Sequence, residues 1–134
     1  MERNIKLVKC YKKYWEFIRK LRLDPKNING FIQTSAITTK EQKSYMTKNS
    51  QYYRVCLLND IPVGFIGVID NDIRLCVSDE YKKQGIGKFM LQESMKIWPH
   101  AVGKIKTKNI ASQKLFESCE FKLKYLIYEY DNKI

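Results

Sequence analysis

The 134-residue sequence has one histidine, His100, three prolines, six glycines and four cysteines, and none of these scarce residues is clustered. Cys10, Cys56, Cys76 and Cys119 lie far apart, with no CxxC pair and no histidine at ligand spacing. A zinc site and a disulfide scaffold are therefore disfavoured, and no metal is expected. No stretch approaches the roughly 20 apolar residues that span a bilayer, and MERNIKLVKC lacks the apolar centre of a signal peptide, so a soluble, cytoplasmic protein without a membrane partner is expected. Acidic residues are also few. Fourteen stand against 25 lysines and arginines, a formal net charge of +11. The lysines are dispersed, which draws anionic ligands through the long-range field without naming one, and which also suits a plain solvated surface. With no nucleic-acid motif and no basic stripe interleaved with aromatics, no specific nucleic-acid partner is expected.

What is present is an ordinary globular composition, 44% hydrophobic and 13% aromatic. At this length one domain over 1–134 is expected. Ile5 and Leu7 alternate as a first strand, and Tyr14, Trp15, Ile18 and Leu21 recur at helical spacing. DPKNING interrupts, and Thr38 followed by Glu41 opens a second helix with a capping-box pattern. From Tyr52 the period becomes two. YYRVCLL, PVGFIGVI and IRLCV, separated by turns at Asn59-Asp60 and Asn71-Asp72, predict an antiparallel meander. KFMLQESMKIW is a helix closed by Pro99, AVGKIK a short strand, NIASQKLFESCEF a helix capped by Asn109, and FKLKYLIYEY a last alternating strand. The order gives an α+β domain, a mixed, mostly antiparallel sheet with helices on both faces in three α/β/α layers.

Between strand IRLCV and the helix that follows lies EYKKQGIGKFM. Free amides and the dipole at a helix N-terminus attract phosphate oxygens, and Gly85 and Gly87 would keep side chains out of their way. Lys82, Lys83 and Lys88 add charge there. A Walker A loop is excluded, because no Ser or Thr follows Lys88 and the glycines are one residue apart. A dinucleotide fingerprint is excluded too, because the preceding strands form a meander rather than a parallel βαβ unit.

The pattern [QR]xxGx[GA] after an apolar-x-V strand end resembles the coenzyme A loop of the Gcn5-related N-acetyltransferases, the GNAT superfamily. Lys82 stands in the Gln/Arg place, Gly85 and Gly87 in the glycine places, and Leu75, Cys76 and Val77 at the strand end. Asn109, Ser112, Leu115, Phe116, Glu120 and Phe121 are similar to the family's second signature, NxxAxxLYxxxGF. The resemblance implies an acetyl-CoA-dependent N-acetyltransferase that works by direct attack of an amine in a ternary complex. It implies acetyl-CoA as cosubstrate, with the pyrophosphate on the amides of residues 83–88 (Lys83, Gln84, Gly85, Ile86, Gly87, Lys88) and the pantetheine arm along Leu75, Cys76 and Val77. Lys82, Asn109, Ser112 and Phe116 complete the implied coenzyme site. The Cys76 backbone amide is the expected oxyanion donor, and its thiol a packing group rather than a nucleophile.

Two places depart from the family. Phe116 replaces the tyrosine that often protonates the leaving thiolate, and Lys104 stands where protein-N-terminal acetylases carry a glutamate base. Asp72 and Tyr128 are the first acid–base candidates, with Asp70, Tyr125 and His100 behind them. LRLDPKNINGFIQTSAITTKEQKSYM resembles a stretch of the GNAT branch that acetylates nucleotide-linked amino sugars, through Arg22, Pro25, Phe31, Ile37 and Tyr45, while Leu21, Leu23 and Gln42 depart from it. Arg22, Phe31 and Tyr45 are accordingly candidate acceptor contacts. The implied acceptor is a small, anionic amine such as a UDP-4-amino-4,6-dideoxyhexose. A peptide N-terminus, a lysine, a polyamine and a non-catalytic acetyl-CoA-binding module remain alternatives, as do monomer and homodimer.

Overall fold

The computed structural model describes residues 3–27 and 37–131. Four strands, β1 (Ile5–Lys9), β2 (Tyr53–Leu58), β3 (Ile61–Ile69) and β4 (Asp72–Val77), form one sheet in chain order, every neighbouring pair antiparallel. Both tight hairpins carry two consecutive left-handed residues, Asn59 and Asp60 (φ 51° and 67°), then Asp70 and Asn71 (φ 52° and 63°). Asn and Asp tolerate that conformation, and such turns match the twist of the strands. The second turn thus sits one residue earlier than the expected Asn71-Asp72, and Asp72 enters β4.

The two faces of the sheet bury separate apolar clusters. Helices α1 (Trp15–Leu23) and α2 (Thr39–Asn49) cover one, where Ile18, Leu21 and Met46 meet Val55, Phe65 and Cys76. Helices α3 (Ile86–Met95) and α4 (Ile110–Ser118) cover the other, where Ile86, Met90, Leu91 and Phe116 meet Cys56, Val63, Ile66 and Ile73. The three-layer expectation holds. The capping box also forms as expected: Glu41 N–H donates to Thr38 Oγ1 at 3.1 Å, and Thr38 N–H to Glu41 Oε1 at 3.2 Å. Gln42, buried, donates from Nε2 to the Trp15 carbonyl at 3.1 Å, pinning α2 to α1.

Two expected strands do not form. In AVGKIK only Val102 bridges β4, where Ile73 N–H donates to the Val102 carbonyl at 2.9 Å and Val102 N–H to the Asn71 carbonyl at 2.7 Å. Beyond that bridge a cavity separates Leu75 and Val77 from Lys104, Ile105 and Lys106. Residues 121–130 are anchored at their start by Phe121, whose N–H reaches the Phe116 carbonyl and whose ring packs edge-on to Phe116, centroids 5.0 Å apart. Thereafter the segment joins no ladder among the described residues. Alternation of side chains is present in both segments; a backbone ladder is not found for either among the described residues.

Candidate functional site

The cavity encloses about 990 Å³ along the outer edge of β4. In an antiparallel ladder each residue turns both backbone polar groups to one side, and successive residues alternate. Ser78 N–H donates to the Val63 carbonyl, and the same register pairs Phe65 with Cys76 and Gly67 with Arg74. Cys76 therefore spends its amide on β3. Leu75 and Val77, like Ile73, turn theirs outward, and both border the cavity. This corrects the expected oxyanion donor: the amides that face the cavity are those of Leu75 and Val77, not that of Cys76. The Cys76 side chain is buried under α1, and burial pushes its thiol up to about 12, so it stays protonated at neutral pH.

One end of the cavity is the N-terminus of α3. Gly85 caps it in the left-handed conformation, φ 80° and ψ 9°, and a Cβ built there would meet nothing within 4 Å. Glycine is present for the backbone angle, and the space it leaves stays open to a ligand. Gly87 serves a different need, since a Cβ would come within 3.1 Å of Leu115 Cδ2 and keep α4 from packing as closely on α3. Lys82, Lys83, Ile86 and Lys88 also line this end. Lys82 Nζ donates to Asn27 Oδ1 at 2.9 Å and lies 3.5 Å from Asp79, tying the loop to the end of α1. Gln84 does not line the cavity; its carbonyl accepts from Arg3 Nη2 at 2.7 Å.

The far wall is α4. Asn109 caps it, its Oδ1 accepting from Ser112 N–H at 3.2 Å, and Asn109, Ser112 and Phe116 all border the cavity. Lys104, Lys106 and Lys108 approach from the stretch before it.

At the other end a polar group comes from α2 and the sheet. Tyr45 and Tyr53 hydroxyls lie 2.8 Å apart, and Arg74 Nη1 donates to Tyr45 Oη at 3.3 Å. Gly67 lies opposite Tyr53 in the ladder, and a Cβ there would fall 2.4 Å from the Tyr53 ring, so only glycine lets that ring lie across β3. Burial, aided by the bond to Tyr45, pushes the Tyr53 phenol well above its ordinary range. Asp72 lines this end, with Oδ1 buried and without a hydrogen-bond partner.

Of the acceptor candidates, Arg22 and Tyr45 line the cavity and Phe31 lies outside the described residues. Of the acid–base candidates only Asp72 does so. Tyr128 and Tyr125 stand exposed in the segment after α4, Asp70 lies in the β3–β4 turn, and His100 follows Pro99 on the surface. Sequence reasoning passed over Tyr53, Arg74 and Asn27. Arg74 had a signal: it is the one long cation in the alternation of DIRLCV, on the face that Cys76 buries.

Among the described residues the cavity wall carries nine cations, Arg22, Lys26, Arg74, Lys82, Lys83, Lys88, Lys104, Lys106 and Lys108, against one carboxylate, Asp72. An α+β fold whose last paired strand parts from its neighbour beside a helix N-terminus, in so basic a cleft, defines a domain for an extended anionic ligand. Residues 48–123, more than half of the sequence, match the family model described as acetyltransferase (GNAT) domain, and the chain belongs to that family. Solved structures of the same fold include a domain from Methanocaldococcus jannaschii, 22% identical, covering 90% of either chain with a TM-score of 0.75. A spermidine N-acetyltransferase from Vibrio cholerae, solved with CoA and spermine, is 12% identical and covers 94% of this chain and 86% of its own, TM-score 0.76. A GNAT-family acetyltransferase from Bacillus anthracis is 18% identical over 88% of this chain and 79% of its own, TM-score 0.71. No curated protein matches the sequence. Among the described residues no helix is long and apolar enough to cross a membrane, and no group of three His, Cys, Asp or Glu could hold a metal.

Proposed function

We propose that this acetyltransferase moves the acetyl group of acetyl-CoA to the primary amine of a small anionic acceptor, a nucleotide-linked amino sugar such as a UDP-4-amino-4,6-dideoxyhexose. The observation that carries this reading is the continuous cavity from the α3 N-terminus to Asp72 and Tyr45, with nine cations and one carboxylate in its wall among the described residues. The residues fit the coenzyme. The first amides of α3 and the open space at Gly85 would take the pyrophosphate, with Lys83 and Lys88 beside it. The outward carbonyl of Leu75 and the outward amide and carbonyl of Val77 would pair with the amides of the pantetheine arm, and Ser112 and Phe116 would close the opposite side.

Acetyl-CoA supplies an activated thioester, so the chain needs no nucleophile of its own. Leu75 N–H would donate to the carbonyl oxygen as it gains negative charge, and one such donor contributes on the order of 3 kcal/mol. The Asp72 carboxylate, in the cavity wall, would receive a proton from the incoming ammonium, leaving the neutral amine to attack the carbonyl carbon. As the new C–N bond forms and the C–S bond breaks, sulfur departs as thiolate and the nitrogen sheds its second proton to water. Phe116 has no proton to give, and a thiolate takes one from water near neutral pH. Arg22 and Lys26 stand where they would hold an acceptor diphosphate, whereas a polycation such as spermidine would enter against the field of the wall. The test is CoA release with UDP- and dTDP-amino sugars beside spermidine and peptide N-termini. Turnover on the nucleotide sugars is expected. A preference for spermidine or peptides overturns the acceptor, and acetyl-CoA binding without release on any amine overturns catalysis.

A further inference from the structure

Tyr53 is a phenol sealed at the acceptor end of the cavity, 3% exposed. Its ring is held from three sides: over Gly67, where a Cβ would fall 2.4 Å from it, edge-on to Tyr45 with centroids 6.0 Å apart, and tilted against Phe65 at 6.2 Å. The sheet thus fixes where its hydroxyl lies. A buried O–H needs an acceptor, because one left unmade forfeits the bond it had in water. Among the described residues two polar side chains reach it, Tyr45 through the 2.8 Å contact and Arg74. A guanidinium has donors only, so the Tyr53 proton goes to Tyr45 Oη. Burial and that bond both push the Tyr53 phenol well above its ordinary range, so it keeps the proton that it donates.

The consequence falls on Tyr45. Its oxygen accepts from Tyr53 and, at 3.3 Å, from Arg74 Nη1, which fills its accepting capacity. Its own proton then has no acceptor among the described residues, and Tyr45, partly buried, lines the cavity. Arg74 is placed alike. Its guanidinium spends donors on the two tyrosines, has others left of its five, and lines the same end. Tyr45 and Arg74 therefore turn donors to the cavity, and what pairs with donors is an oxygen of the ligand, not an ammonium. Asp72, which in the proposed reaction takes the proton of the amine, stands two residues before Arg74 on the same face of β4, about 7 Å along the strand. The oxygen recognised accordingly lies close to the amine.

We propose that Tyr45 and Arg74 are a donor pair for a hydroxyl oxygen beside the amine of the acceptor, and that Tyr53 is a positioning residue that keeps the Tyr45 proton turned to the cavity. The inference rests on the reading of the acceptor as an amino sugar, since a 4-amino-4,6-dideoxyhexose carries a hydroxyl on the carbon next to its amine. It adds which group of that sugar is recognised, and by which side chains.

Steady-state kinetics on a UDP-4-amino-4,6-dideoxyhexose and on its analogue lacking the hydroxyl next to the amine test it, with wild type, Tyr45→Phe, Tyr53→Phe and the double variant. Tyr45→Phe should raise the acceptor KM about five- to tenfold, the worth of one hydrogen bond, with kcat and the acetyl-CoA Kd unchanged. Removing the substrate hydroxyl should cost wild type a similar factor and cost Tyr45→Phe nothing further, because the two deletions take away the same bond. Tyr53→Phe should raise KM alone and have no effect in the Tyr45→Phe background, since it acts through Tyr45. A hydroxyl whose removal costs Tyr45→Phe as much as wild type overturns the proposal. So does a Tyr53→Phe loss that is equal in both backgrounds, or that appears in acetyl-CoA affinity, as a merely structural residue would give. Each of these outcomes, seen with the amino sugar turned over, overturns this inference alone. Turnover of spermidine only, or of no amine, overturns it together with the reading on which it rests.

Discussion

Gly85 and Leu75 show how differently two residues in one cavity can depend on their backbones. At Gly85 the left-handed φ disfavours any side chain by about 1–2 kcal/mol, yet the space around it is empty. Gly85→Ala should therefore fold with a small loss of stability and bind acetyl-CoA within about tenfold of wild type. Gly85→Asp, which adds a carboxylate beside the pyrophosphate, should weaken binding by about 100-fold or more by calorimetry, because like-charge contacts cost several kcal/mol. Equal affinities for the two variants would dissociate the loop from the phosphates. At Leu75 the amide points away from β3, so a proline there removes no ladder bond, as edge strands allow. Leu75→Pro should fold and lose on the order of 100-fold in kcat, the cost of one oxyanion donor. Cys76→Ser should keep kcat within a few-fold, since its amide is committed to Phe65 and its thiol, at about 12, is not ionised. A collapse of kcat in Cys76→Ser would give the thiol a role in catalysis, and a Leu75→Pro variant of unchanged kcat would overturn the oxyanion role of the Leu75 amide.

Among the elements, α4 depends most visibly on one side chain. Asn109→Ala removes the acceptor for Ser112 N–H and should lower unfolding free energy by about 1 kcal/mol in urea. It should also raise the apparent Kd for acetyl-CoA, because Asn109 and Ser112 both belong to the cavity wall. That cap, the capping box of α2, the meander and the glycine loop were all legible in the sequence, because each is written in residues a few positions apart. Three features were not. Which amides of β4 face the cavity is set by the register with β3, and the side-chain alternation of DIRLCV is the same for either answer. The parting of residues 103–106 from β4 is set by the space the cavity occupies, while AVGKIK alone still reads as a strand. The link between Tyr45 and Tyr53 joins a helix to a strand eight residues on through the room left at Gly67, a long-range fit no local pattern announces. Acceptor chemistry is hardest to read for the same reason, since Arg22, Tyr45, Asp72 and Arg74 come together only when α1, α2 and β4 are packed.

The molecule as a whole should be more sensitive to alkali than its lysine-rich surface implies. Three cysteines are sealed in the two apolar clusters, and burial pushes the thiols of Cys10 and Cys56 up to about 11 and that of Cys76 to about 12, from an ordinary value of 9.0. The sign follows from which state holds the proton. Below pH 9 both folded and unfolded chains keep these thiols neutral, and their full contribution to stability is present. Above pH 9 the unfolded chain releases the protons first, so each thiol removes up to about 1.4 kcal/mol per pH unit until its folded value is reached. At pH 10 the three together cost about 3–4 kcal/mol, a sizeable share of the 5–15 kcal/mol that holds an ordinary domain together. The buried Tyr53 phenol works in the same direction at still higher pH. Thermal melts between pH 8 and 10.5 should thus show a falling Tm, reversible on returning to pH 8. Replacing Cys10 and Cys56 by valine should flatten that fall by about two thirds, because two of the three titrating groups are gone while the apolar volume is kept. A Tm that falls as steeply in the double variant as in wild type would place the alkaline weakness elsewhere, in the lysine surface or in Tyr53.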